Sequence, residues 1–78
     1  MAERVTQDDL AQVQGNLNRR LKGRGSRSRV AIEFRNGHAA ADEWNVADGH
    51  TLRTLVVGTK REVYDALWHM IRAIDLLP

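Results

Sequence analysis

The sequence contains no cysteine, and this absence removes three kinds of chemistry at once. It excludes disulfides, thiolate metal sites and a cysteine nucleophile. Long apolar runs are also missing, since no stretch approaches the roughly 18 apolar residues of a membrane-spanning helix. Residues 1–10 carry several charges where a signal peptide would carry an apolar run. We therefore expect a soluble, cytoplasmic protein.

Groupings of catalytic residues are missing as well. His38 and His50 flank predicted turns and His69 lies on the flank of a predicted helix, so no metal-binding spacing relates them. Asp42 and Glu43 are adjacent, and in a strand they point to opposite faces and cannot act as a carboxylate pair. The sequence offers no serine that can be matched with a base as a nucleophile, and it contains no phosphate-binding glycine loop. We predict a protein that is not an enzyme and that uses no metal, cofactor or small-molecule substrate.

The 78 residues are about half the usual length of a domain, which predicts one small domain over residues 1–78. A chain of this size hides only roughly 60% of the surface that its unfolded form exposes, so its stability margin is thin. Small domains often add a disulfide, a metal or a partner chain. Because disulfides are excluded, the remaining options are a compact core alone or a core extended by homodimerisation.

The first element is predicted to be a helix over about residues 7–22. Thr6 is a suitable N-cap, and Asp9 completes an approximate capping box with it. Gly23 is the predicted C-cap, and residues 23–28 form a basic loop. The apolar stripe that repeats every three or four residues comprises Leu10, Val13, Leu17 and Leu21.

Three strands are predicted next, over about residues 29–35, 38–46 and 50–57. Asn36-Gly37 is a strong signal for a type I′ hairpin turn, and Asp48-Gly49 offers a second tight turn. The chain ends in a helix over about residues 60–76, which opens with a capping box and carries a broad apolar face of Val63, Leu67, Met70, Ile71, Ile74 and Leu77. The predicted fold is α+β: a three-stranded antiparallel meander with two helices on one face, in the order αβββα.

Two-residue turns would fix the cross-strand partners. They would place Trp44 opposite Arg29 on one side and opposite Arg53 on the other, and Asp42 opposite Leu55. The predicted core floor of the sheet comprises Val30, Ile32, Phe34, Ala39, Ala41, Leu52 and Val56.

The opposite face of the sheet is the first predicted contact surface for a protein partner. It comprises Arg29, Trp44, Arg53, Leu55 and Val57. An indole between two arginines and aliphatic neighbours is typical of an interface. The alternative is a bulge in the second strand that turns Trp44 inward, because Glu43 falls on the presumed core side. Trp68 and Arg72 form a second candidate, and Trp68 either packs against the first helix or stays partly exposed.

Charge suggests a different partner. The net charge is +2, but six of the twelve basic residues lie between positions 19 and 29 with no acidic residue among them. A nucleic-acid-binding domain is therefore the alternative prediction, using Lys22, Arg24, Arg27, Arg29, Lys60 and Arg61. A solvated loop, and charges that offset a helix dipole, explain the same residues. Only Trp44 and Trp68 are available to stack on single strands.

Two resemblances bear on function. The order αβββα, with Thr59-Lys60-Arg61 opening the last helix, resembles the double-stranded-RNA-binding domain, which implies that this helix start contacts phosphates. The Asn36-Gly37 turn departs from that family, in which a longer loop at the corresponding position reaches a minor groove. The segment from Gly58 to Arg72 resembles the ends of small uncharacterised bacteriophage proteins. That likeness implies a phage or prophage accessory protein that binds host proteins, and no catalytic residues.

Overall fold

The computed structural model describes residues 4–77 and confirms the αβββα order. The three strands form one antiparallel sheet in the order β1-β2-β3. The elements are α1 (Gln7–Gly23), β1 (Ser28–Arg35), β2 (His38–Asn45), β3 (Thr51–Thr59) and α2 (Lys60–Asp75).

Both helices begin at the predicted capping boxes. The Thr6 hydroxyl accepts from the Asp9 amide at 3.1 Å, and the Asp9 carboxylate accepts from the Thr6 amide at 2.9 Å. Thr59 and Glu62 make the same reciprocal pair at 3.1 and 3.0 Å. Each pair satisfies two amides that have no partner within the helix, which fixes where the helix starts.

The end of α1 differs from the prediction, because Gly23 is still helical. The residue with positive φ is Gly25 (φ 76°), and the cap residue is Arg24. The Gly25 amide donates to the Lys22 carbonyl at 3.0 Å, and the amide of the following serine donates to the Leu21 carbonyl at 3.0 Å. This double closure needs a left-handed residue one position past the cap, so Gly25 terminates the helix.

The first hairpin matches the prediction. Asn36 and Gly37 have φ values of 42° and 82°, which is the pair of positive angles that a type I′ turn requires. The β1–β2 register is regular throughout and places Arg29 opposite Trp44, as expected.

The second hairpin corrects the predicted register. The chain does not make a two-residue turn at Asp48-Gly49; residues 46–50 form the connection, closed by the Gly49 amide on the Asn45 carbonyl at 2.7 Å. Two bulges each insert one extra β3 residue, so that Trp44 pairs with Thr51, Glu43 with Arg53, and Asp42 with Thr54. The predicted pairs of Trp44 with Arg53 and of Asp42 with Leu55 are therefore wrong.

The core lies between the helices and one face of the sheet. Leu55 packs against it because the bulge at this position interrupts the alternation of β3. Three residues predicted to be in the core are exposed instead: Phe34 (39%), Leu52 (53%) and Leu77 (54%). Phe34 lies at the turn end of β1, Leu52 is the extra residue of a bulge, and Leu77 lies beyond α2. The buried residues are Val5, Leu10, Val13, Leu17, Val30, Ala39, Ala41, Val63, Leu67 and Ile71.

The molecule is thin, with extents of 38 × 28 × 17 Å. The smallest extent accommodates one helix layer and one sheet, so the outer face of the sheet is not covered by either helix. Among residues 4–77, no helix combines the length and the hydropathy that crossing a membrane requires.

Candidate functional site

An apolar depression beside the core lies at one end of the molecule, between the sheet and the C-terminal halves of both helices. It is largely open to solvent and has a volume of about 310 Å³. We call it the end groove. It is lined by Leu17, Leu21, Ser28, Val30, Glu43, Arg53, Leu55, Met70, Ala73 and Ile74.

The groove follows from the local sequence of five elements. Leu17 and Leu21 are the last residues of the apolar stripe of α1, and Met70 and Ile74 belong to the last turns of α2. The floor comes from the start of β1, the end of β2 and the first half of β3. The bulge at Leu55 adds its aliphatic side chain to this wall instead of to the outer face.

Three polar side chains form a connected group in the groove. The Ser28 hydroxyl donates to Glu43 Oε2 at 2.6 Å, and Arg53 Nε donates to Glu43 Oε1 at 2.9 Å. The Glu43 side chain is 17% exposed, whereas that of Arg53 is 73% exposed. In the part of the chain that the structure describes, no buried side-chain nitrogen or oxygen lacks a hydrogen-bond partner.

The two hydrogen bonds lower the pKa of Glu43. The bond from Ser28 contributes most, followed by the bond from Arg53, and both favour the charged carboxylate. A carboxylate with a lowered pKa is a weak general base, so Glu43 is poorly suited to activating the Ser28 hydroxyl. The arrangement instead fixes Arg53 at the lip of an apolar groove.

The outer face of the sheet holds only part of the predicted contact surface. Arg29, Trp44 and Val57 lie on it, since their β-sheet neighbours Val30 and Ala41 are buried on the helix side. Val57 is 64% exposed, and Trp44 is half-buried without turning into the core.

Trp44 does not lie between two arginines as predicted, because Arg53 pairs with Glu43 on the other face of the sheet. Arg29 Nη1 donates to the Ser26 and Ser28 carbonyls at 2.8 and 2.7 Å, and Arg53 bonds to Glu43. Arg53 and Leu55 line the end groove, on the helix side of the sheet. The predicted five-residue surface is thus divided between two faces, because bulges changed the side on which β3 residues lie.

Trp68 remains partly exposed, at 37%. Its ring packs edge-to-face on Tyr64, with centroids 6.3 Å apart and planes at 72°. The contact is within one helix and stiffens the exposed indole. Arg72, one turn further along α2, is exposed.

The six basic residues of the nucleic-acid prediction do not form one patch. Lys60 and Arg61 follow Thr59, which pairs with His38 beside the first hairpin turn. The other four, Lys22, Arg24, Arg27 and Arg29, lie at the opposite end of the sheet, around the start of β1. A strand of eight residues at about 3.3 Å per residue separates the groups by about 25 Å. Arg61 also pairs with Asp65 at 3.3 Å.

Sequence reasoning missed most of the groove. Glu43 was the available signal, because a carboxylate on the predicted core face requires partners there, and Ser28 and Arg53 supply them.

No group of three metal-ligating side chains occurs among residues 4–77. No family model, no curated protein and no solved structure matches the chain.

Proposed function

We propose that this protein is a non-enzymatic binding module that holds a segment of another protein in the end groove. The observation that carries the proposal is the apolar groove itself, about 310 Å³, with the ion-paired Arg53 at its lip. Apolar walls with a few fixed polar groups are the usual composition of a recognition site. The paired, low-pKa state of Glu43 supports binding over catalysis.

The openness of the groove favours a protein segment over a small molecule. Pockets for small ligands usually bury roughly 70–90% of the ligand surface. A groove that is largely open to solvent encloses less of a small ligand, whereas a helix or loop of a partner brings its own covering surface. Its volume, about twice that of the roughly 150 Å³ cavities that hold one benzene ring, suits two apolar anchors.

The outer face of the sheet is the weaker protein-binding surface. Its exposed charges are already engaged within the chain: Arg35 pairs with Glu33 at 2.9 Å, and the Thr54 hydroxyl donates to Asp42 at 2.8 Å. An antiparallel sheet commonly leaves one such face in water. Its depression, about 140 Å³, is less than half the volume of the end groove.

Nucleic-acid binding is the second candidate, favoured by the exposed Lys22 and Arg27 near the start of β1. Phosphate contacts weaken by roughly one log unit per log unit of salt for each contact. An anisotropy titration with duplex RNA, duplex DNA and single strands at low and near-physiological salt therefore separates the candidates. Binding that persists at about 0.15 M salt, a physiological ionic strength, and is lost in Arg27→Ala would replace our proposal with this one.

The proposal is tested by selecting a displayed random-peptide library on the immobilised protein. Ala73→Trp places an indole in the groove, and Ala11→Trp is the matched control, since both alanines are exposed and helical. We expect enriched peptides to bind wild type and Ala11→Trp but to lose binding to Ala73→Trp. Enrichment that is indifferent to Ala73→Trp would show that the groove is not the binding site.

A further inference from the structure

The charges around the end groove identify the kind of segment that it accepts. Resting on the function proposed above, we propose that the groove binds an acidic amphipathic segment: aliphatic anchors on one face, Asp and Glu on the flanks. The groove supplies the apolar contact, and the cations at its end of the molecule supply the electrostatic complement.

The groove end of the molecule is strongly cationic. Arg53 lines the groove with its side chain 73% exposed. Lys22 directly follows the groove-lining Leu21, and Arg27 directly precedes the groove-lining Ser28; both cations are exposed.

Two acidic groups at this end of the molecule are paired with cations, and a third, Asp48, accepts from the His50 amide. Glu43 bonds to Ser28 and Arg53, and Asp75 pairs with Arg20 at 2.9 Å. Positive charge therefore exceeds negative charge at this end of the molecule, which favours negative charge on the partner.

The same surplus argues against two other occupants. A second copy of this chain, docked groove to groove, would bring two cationic ends together, and like charges across an interface are costly. The phosphates of a nucleic acid would pair with the cations, but its bases would not match the apolar lining of the groove. The aliphatic residues Leu17, Leu21, Leu55, Met70 and Ile74 give the lining no aromatic ring on which a base could stack.

The groove size sets the spacing of the anchors. A volume of about 310 Å³ holds roughly two aliphatic side chains, judged by the single ring held in cavities of about 150 Å³. On a helix, two side chains share a face when they are three or four residues apart. The segment therefore needs leucine-like anchors at that spacing, with carboxylates beside them.

Three labelled peptides of about 16 residues, four to five helical turns, form the probe set. The first carries leucines at three- and four-residue spacing with Glu on the flanks, the second replaces each Glu by Lys, and the third replaces each Leu by Ala. Anisotropy measures their affinities at near-physiological salt. We expect the acidic leucine peptide to bind at least about tenfold more tightly than either of the others. The Lys peptide loses the favourable charge interaction, and the Ala peptide loses the burial of its leucines.

Charge-reversal variants of the protein supply the matched control. Lys22→Glu with Arg27→Glu reverses two cations beside the groove, and Lys60→Glu with Arg61→Glu makes the same change in net charge at the opposite end of the sheet. The first pair should lower the affinity for the acidic peptide by about tenfold or more. The second pair should lower it by less than about threefold, because screening limits charge effects to roughly 8 Å.

The outcomes separate this inference from the function on which it rests. If the Lys peptide binds as well as the Glu peptide, and Ala73→Trp still blocks it, the groove binds protein segments but the acidic partner is wrong. If neither leucine peptide binds, both proposals are overturned. If duplex RNA or DNA binds at near-physiological salt and the peptides do not, the surface is a nucleic-acid site and both proposals fail.

Discussion

Asn18 of α1 makes two hydrogen bonds to the backbone of Val30 in β1. Its Nδ2 donates to the Val30 carbonyl at 3.0 Å, and its Oδ1 accepts from the Val30 amide at 2.8 Å. The side-chain amide thus takes the place that a further strand would occupy on this edge of the sheet. It also holds α1 against the start of β1, where both elements line the end groove.

Removing this amide should destabilise the fold. Asn18→Ala leaves two partly buried backbone groups without partners, which costs about 2 kcal/mol of unfolding free energy. Asn16→Ala is the matched control, because the Asn16 side chain accepts from Arg19 on the exposed surface of the same helix. Urea denaturation measures both. Equal losses in the two variants would show that the contact with Val30 contributes nothing beyond helix propensity.

The two glycines at the end of α1 should respond in opposite directions. Gly25 has φ 76°, so Gly25→Ala should cost about 1 kcal/mol. Gly23 is helical and a Cβ there meets no atom within 4 Å, so Gly23→Ala should stabilise by up to about 1 kcal/mol. Thermal unfolding of the two single variants measures both changes in stability. A stabilising Gly25→Ala would contradict the assigned cap.

Gly58 and Glu62 should be energetically coupled. A Cβ at Gly58 would lie 3.0 Å from Glu62 Cδ and Oε1, and that carboxylate is held by the Thr59 amide. Gly58→Ala should therefore weaken the capping box and cost about 1 kcal/mol. In a Glu62→Ala background, the same change should cost less, with a coupling of at least about 0.5 kcal/mol. Additive losses in the double-mutant cycle would exclude this steric link.

Glu43 should make part of the stability depend on pH. Its pKa in the folded protein is below the usual value of 4.5, so protonation favours the unfolded state. The contribution is present above about pH 4.5 and is lost as the pH falls through the lower folded-state pKa. Unfolding free energies measured from pH 7 down to about pH 3 should fall less steeply for Glu43→Gln than for wild type.

Ser28→Ala tests the cause of that dependence. It removes the hydrogen bond that lowers the Glu43 pKa most, so its acid slope should lie between those of wild type and Glu43→Gln. Glu62 also has a lowered pKa, because the Thr59 amide donates to it, and its contribution remains in all three proteins. Identical slopes for wild type and Glu43→Gln would rule out the proposed role of the ion pair.

Local signals predicted the elements of this fold. Thr6 and Thr59 marked both helix starts, and Asn36-Gly37 set the first register, because each signal acts through bonds within a few residues. The second hairpin could not be predicted in this way. The sequence of β3 contains no signal that Leu52 and Leu55 are the extra residues of bulges, since a bulge is stabilised by packing against other elements.

The end groove was unpredictable for the same reason. Its walls come from residues far apart in sequence, and Leu55 joins them only because of the bulge. A two-residue turn at Asp48-Gly49 predicts Arg53 opposite Trp44 on the outer face, whereas the structure places it beside Glu43. Homodimerisation and the resemblance to bacteriophage proteins remain predictions.

The most direct test is an NMR titration of the isotope-labelled protein with the acidic leucine peptide. Amide shifts report which surface the peptide occupies. Our account predicts the largest changes at Leu21, Leu55 and Ala73, which line the end groove, and small changes at Ala40 and Val57 on the outer face of the sheet. Changes centred on Ala40 and Val57, with the groove amides unmoved, would contradict it.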